Sequence, residues 1–351
     1  MAVLNSTILR LAREQHGLSQ SELARRLSVQ QAVLSKYENG IAEPSESVLA
    51  ELSNQLGYPA AFFMQDAEDV PSGLIFHRKR QSLSASLRNK IEAEVKLRVM
   101  DVLFLYGKLG CRSDIISREG RTPEETARCL RKQWKVRKGP IPNMISLLER
   151  HGIAVIEFDF ETDKLDGFFV PLRKDIICIA LNTNPCFSAD RRRFSLAHEL
   201  GHALLHQNDF PDSEKETEAD AFAAEFLMPE TTIQTELEPP LTFSKLCELK
   251  TRWKASIASL VFRAKKLGTI SENTYRNTWM FLSAKGYRKH EPECGVQEER
   301  SARFQSLMRG YARKNVKYLE ELNLTQARFN ERYCQIQHDS RQKYGGDQKL
   351  K

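Results

Sequence analysis

The chain has 351 residues, 41% of them hydrophobic and 28% charged, a balance that describes a folded protein of two or three domains and excludes an intrinsically disordered one. Its net charge of +7 permits nucleic-acid binding, and no apolar run approaches membrane-spanning length. Seven scattered Cys without a C-x-x-C pair argue against a disulfide framework or a cysteine-only zinc site.

The amino terminus, MAVLNSTILRLAREQ, alternates apolar and polar residues and lacks a signal-peptide core. A cytoplasmic protein with no membrane partner is the expectation. Ile8, Leu9, Leu11 and Ala12 share one helix face, closed by Gly17. Ser19 and Glu22 form a capping box that opens SQSELARRL. A turn at Ser28-Val29 leads into QQAVLSKYENG, stopped by Asn39-Gly40. SESVLAELSNQLG gives a fourth helix and YPAAFFMQ a fifth. Two short helices joined by a tight turn within an all-helical domain, here residues 1–65, are the helix-turn-helix arrangement. Residues 1–65 carry five basic side chains against six acidic ones, so the domain has no general basic surface. Pairing two copies into a homodimer, or docking a partner, is the alternative to DNA binding there.

The stretch HGLSQSELARRLSVQQAVLSKYENG resembles the helix-turn-helix of the phage-repressor (Cro/C1, XRE-like) family. The resemblance implies operator DNA as a partner and a recognition helix from Gln30 to Glu38. Gln31, Ala32, Ser35 and Lys36 would face base edges, while Gln20 and Asn39 would contact phosphates. A glutamine can bond adenine through N6 and N7, which singles out Gln31 for direct readout.

Residues 66–73 read as a linker and 74–138 as a helical connecting region. That region holds the long helix NKIEAEVKLRVMDVLFLYGKL and then TPEETARCLRKQW, capped by Thr122 with Pro123 and Glu125 behind it. Its basic runs, Arg78-Lys79-Arg80 and Arg131 to Lys138, read as solvated faces before they read as DNA contacts. A helix over Pro140–Arg150 follows. Period-two runs at 153–158, 167–170 and 175–181 then predict a small sheet ahead of a helix over Ala189–His206.

That helix holds His198-Glu199-Leu200-Gly201-His202, an H-E-x-x-H motif. Four residues apart, both imidazoles can point at one ion, and Glu199 can address a water beside it as general base. A third ligand is needed, and an acidic helix follows. Glu216 and Asp220, spaced i and i+4, share one of its faces, so one carboxylate can ligate while the other hydrogen-bonds a ligating imidazole. Glu218 points about half a turn away, which favours Glu216 as ligand. His206 lies two turns from His198, too far for the same ion, and takes a supporting or packing role. Arg191 to Arg193 are expected to meet solvent or the acidic 209–220 segment.

RRRFSLAHELGHALLH followed by ETEADAFAAEFLMP resembles the ImmA/IrrE metallopeptidase family, with further likeness in GPI at 139–141 and in LKTRWKASIASLVFRAKKLG. The resemblance implies His198, His202 and Glu216 as ligands of Zn2+, Glu199 as the base, and a repressor-type protein as the substrate. Mn2+ can occupy such a donor set as well. The fold class expected is α+β and mostly helical: a helix-turn-helix domain, a zincin-like (gluzincin-like) peptidase core over 139–235, a helical, helix-turn-helix-like subdomain over 236–290, and a basic, partly disordered tail over 291–351 with one helical stretch, VKYLEELNLTQARFNERY. Two other readings stay open. One is a regulator using the peptidase fold to sense or bind without turnover; the other is the regulatory component of a phage-defence or toxin–antitoxin locus.

Overall fold

The computed structural model describes residues 3–66, 83–116, 119–173, 175–206, 212–288, 291–292 and 295–334. Beyond Asp66, the expected linker falls outside these residues, as do Arg78-Lys79-Arg80 and the carboxy-terminal YGGDQKLK. The chain divides into two compact units, one of residues 1–67 with 305–351 and one of 68–304. Among the described residues, no helix is long and apolar enough to cross a membrane.

The first unit begins with α1 (Ser6–Gln15), α2 (Gln20–Arg26), α3 (Gln31–Glu38) and α4 (Glu46–Leu56). Asn5 caps α1 and Ser19 closes the expected capping box with Glu22. The corner between α2 and α3 turns through Ser28 at φ 55, the left-handed conformation a tight helix–helix turn needs. Ile8, Leu9, Leu23, Leu34 and Leu52 are fully buried and form the core of this unit. The expected fifth helix is a short 3-10 turn, Ala60–Met64, because Pro59 fixes its start and Phe62 and Phe63 turn inward within one tight turn.

The second unit opens with α5 (Ala85–Leu109), α6 (Pro123–Gln133) and α7 (Met144–Arg150). Three strands follow: β1 (Ala154–Phe158), β2 (Gly167–Arg173) and β3 (Ile176–Asn182). Their order is β1-β3-β2, with β1 parallel and β2 antiparallel to β3, pairing Ala154 with Cys178 and Gly167 with Leu181. All of β3 is buried, which is why IICIALN is apolar without alternation. Asn182 ends it: the side chain accepts from the N–H of Phe160 (3.0 Å) and Asn184 (2.9 Å) and donates to Thr162 O (2.8 Å) and Leu165 O (2.7 Å). One amide thus pins the connection from β1 to β2.

Next come α8 (Ala189–Leu205), α9 (Ser213–Leu227), α10 (Glu230–Ile233), α11 (Phe243–Trp253), α12 (Ile257–Lys266) and α13 (Glu272–Ala284). The α11–α12 corner holds Lys254 at φ 53, the conformation Ser28 has between α2 and α3. Arg191 meets solvent as expected, but among the described residues none of Arg191, Arg192 and Arg193 pairs with the acidic 209–220 segment. Arg191 pairs with Asp166 (2.7 Å), Arg192 with Glu298 (3.2 Å) and Arg193 with Glu299, and the last two arginines are buried. A buried guanidinium needs its charge met at close range, and Glu298 and Glu299 supply that to Arg192 and Arg193.

In the expected basic tail, Arg303–Lys314 (α14), Tyr318–Leu322 (α15) and Gln326–Tyr333 (α16) are helices, the last two within the stretch VKYLEELNLTQARFNERY. Residues from 305 on group with the amino-terminal helices. Thr325 Oγ1 donates to Gly57 O (3.2 Å), Arg328 Nη2 to Leu56 O (3.0 Å) and Arg332 Nη2 to the Tyr58 hydroxyl (2.7 Å), with Phe329 and Tyr333 buried beside them.

Candidate metal centre and nucleic-acid interface

α8 buries Leu196, Ala197 and Leu200, together with the sheet residues Ile177, Ile179 and Leu181, in the main core. This sets which way His198, Glu199 and His202 face. Gly201 lets α9 approach: a Cβ there would meet Phe222 Cδ1 at 3.1 Å and the Ala219 Cα and O at 3.3 Å. The far end of α9 is anchored by buried charge. Glu225 pairs with Arg263 of α12 and Arg128 of α6 (3.3 Å), while Arg131 donates to Phe226 O (2.6 Å) and Arg263 to Met228 O (3.1 Å).

That packing brings Glu216 opposite the two histidines. The His198 and His202 Nε2 atoms are 3.0 Å apart, and the two Glu216 oxygens lie 3.6 Å from one each. Zinc bonds of 2.0–2.1 Å at tetrahedral angles give edges of about 3.3 Å, so the three groups fit one small cation. Asp220 Oδ1 accepts from His198 Nδ1 at 2.8 Å, which leaves the His198 Nε2 lone pair facing His202. On the other side Glu218 Oε2 accepts from His206 Nε2 (2.8 Å), and the His206 Nδ1 lone pair then accepts from His202 Nδ1 (3.1 Å). Both Nε2 atoms therefore present lone pairs to the same point. Two such nitrogens 3.0 Å apart repel unless a cation or proton lies between them.

The electrostatics agree. Burial opposes charge on His198, but its hydrogen bonds to Asp220 and Glu216 and the charge of Glu199 outweigh that and push its pKa up to about 10. The same two imidazoles hold the Glu216 carboxyl far below the usual carboxylate range. Glu199 stands outside the three-residue group, and its Oε2 accepts from the Phe169 N–H at 3.0 Å. Phe169 lies on β2, an edge strand of the sheet, so the edge strand holds the expected base. Glu218 is the residue sequence reasoning missed. The i, i+4 periodicity sets it off the Glu216–Asp220 face but does not set it against His206, which depends on how α8 and α9 cross.

In the first unit, Gln31, Ala32 and Lys36 are exposed on α3 and Ser35 is half-buried. Gln31 Nε2 donates to Gln20 Oε1 (2.7 Å), Gln20 Nε2 to Glu38 Oε2 (2.8 Å), and Glu38 is clamped by Arg13 at 2.6 and 2.9 Å. This chain leaves Gln31 one N–H and its carbonyl oxygen, the pair an adenine edge requires. Gln20 keeps one N–H for a phosphate. Asn39 turns its amide back onto Ser35 O at 2.7 Å, and a phosphate contact requires it to turn away.

A helix-turn-helix domain and a module with the parts of a metallopeptidase site make this chain a DNA-binding regulator with a peptidase-like module. Residues 148–265 match the family model described as IrrE N-terminal-like domain, of the M78 peptidases, and residues 9–63 match a helix-turn-helix model. The chain thus has the ImmA/IrrE architecture, whose peptidase module implies a divalent metal, usually zinc. No curated protein matches it.

Proposed function

We propose that the chain is a zinc-dependent endopeptidase that reads operator DNA through α3 and cuts a repressor-type protein to relieve repression. The observation that carries this is the convergence of His198, His202 and Glu216 with Glu199 held beside them at the sheet edge. Asp220 and the His206–Glu218 pair fix the tautomers that aim both Nε2 atoms at one point. A bound Zn2+, or Mn2+ in its place, would supply Lewis-acid polarisation of the scissile carbonyl and of the attacking water. Glu199 accepts the proton of that water and returns it to the leaving amine nitrogen. The outer edge of β2, where Phe169 N–H meets Glu199, would suit a substrate segment in extended form, held by main-chain hydrogen bonds.

Purified protein incubated with the repressor encoded beside its gene, with and without chelator, tests the reading by mass mapping of the products. One cut, lost with chelator and lost in Glu199→Gln at unchanged zinc content, is expected. If no cut appears while operator binding responds to zinc, the chain is a sensor without turnover. If His198→Ala leaves zinc content unchanged, the assigned site is wrong.

A further inference from the structure

The amino-terminal helices carry too little positive charge for a DNA reader. Residues 3–66 hold five basic side chains against seven acidic ones, whereas residues 305–334, folded onto them, hold six against three. The join is specific. Arg328 Nη2 lies 2.6 Å from His16 Nε2 and donates to Leu56 O, and its guanidinium sits 4.9 Å from the Tyr58 ring centroid. His16 precedes Gln20 by four residues, a span of at most about 14 Å of chain. The carboxy-terminal helices therefore adjoin the corner from which α2 starts, where the phosphate contact of Gln20 is expected.

The turn from α14 to α15 displays cations on a braced frame. Asn315 Nδ2 donates to the Tyr311 hydroxyl (2.9 Å) and to Glu321 Oε1 (2.8 Å), and the same hydroxyl donates to Glu321. Tyr318 donates to Gln326 Oε1 (2.8 Å) and lays its ring edge-on against Phe329 with centroids 4.8 Å apart. Around this frame Arg313, Lys314 and Lys317 are exposed, and Val316 between them is 98% exposed. Among the described residues Arg313 and Lys314 have no ion-pair partner, and Lys317 has only Glu320, 3.9 Å away and itself exposed. A braced turn whose outward cations have at most one exposed carboxylate among them is a surface suited to meet something anionic.

We propose that α14–α16 complete the DNA-binding unit and that Arg313, Lys314 and Lys317 hold the phosphate backbone of duplex DNA beside the α3 footprint. The proposal rests on the reading of α3 as the recognition helix. Phosphate contacts are blind to sequence, so a fluorescein-labelled 30-bp duplex of mixed arbitrary sequence is a sufficient probe for the full-length protein. Each neutralised phosphate adds about 0.9 to the slope of log affinity against log salt concentration. The triple variant R313Q/K314Q/K317Q should flatten that slope by about 2.7, and Lys36→Gln, which removes a cation from the α3 face, should lower affinity, with helical content by circular dichroism unchanged in both. If the triple variant binds like the parent while Lys36→Gln weakens binding, the carboxy-terminal surface is not a DNA contact and the α3 reading survives. If the triple variant alone matters, the α3 reading falls and the composite unit with it. Binding to phosphatidylglycerol vesicles but not to duplex would overturn the proposal in favour of a membrane surface.

Discussion

At the scale of single residues, the metal centre is set by who backs each imidazole. Asp220 reaches His198 directly but its side chain is 57% exposed, whereas His206, interposed between His202 and Glu218, is 2% exposed. Burial strengthens a hydrogen bond, so the longer chain is the firmer support. Asp220→Asn and Glu218→Gln should each weaken zinc binding by about 10- to 100-fold, the Glu218 change more, as read by competition with a chromophoric chelator. Equal, negligible effects would show that neither carboxylate sets the tautomer. The raised pKa of His198 adds a pH signature. Without metal the site keeps its proton from the ordinary histidine range up to about 10, so zinc uptake at pH 8 must expel it. Calorimetry in two buffers of different ionisation enthalpy should show about one proton released per zinc. A release near zero would mean that His198 is already neutral.

Between elements, the separation of α8 from α9 decides whether the ligands meet. Gly201→Leu, which cannot fit against Ala219 and Phe222, should abolish stoichiometric zinc binding while the helix-turn-helix unit still folds. Retained zinc would mean that α9 does not supply the third ligand. Asn182→Ala strips partners from four buried or half-buried backbone groups and should cost at least about 2 kcal/mol in chemical denaturation. The helices and the three strands were legible in the sequence because periodicity and caps are local: Ser19 with Glu22 and Thr122 with Glu125 form the capping boxes their spacing predicts. The shared faces of His198 with His202 and of Glu216 with Asp220 were legible for the same reason, each pair being one helical turn apart. The partners of Arg191–Arg193 were not, since Glu298 and Glu299 lie 106 residues away along the chain and only tertiary packing brings them in.

Over the whole molecule, the two ends of the chain build one unit and everything between is inserted into it. Composition reads 291–351 as a tail because charge dominates it; the contact from Thr325 to Gly57 spans 268 residues and leaves no local trace. Deleting residues 305–351 should lower the melting temperature of the amino-terminal helices by several degrees, since Arg328, Arg332 and Phe329 no longer cover Leu56 to Tyr58. An unchanged transition would make the clasp ornamental.

That clasp also gives synthesis an order. The amino-terminal helices are made before the second unit, and the helices that close over them only after it. A chain cut short before Gln305 leaves the amino-terminal helices with one side uncovered. The first unit is then closed only in chains whose second unit has already been made.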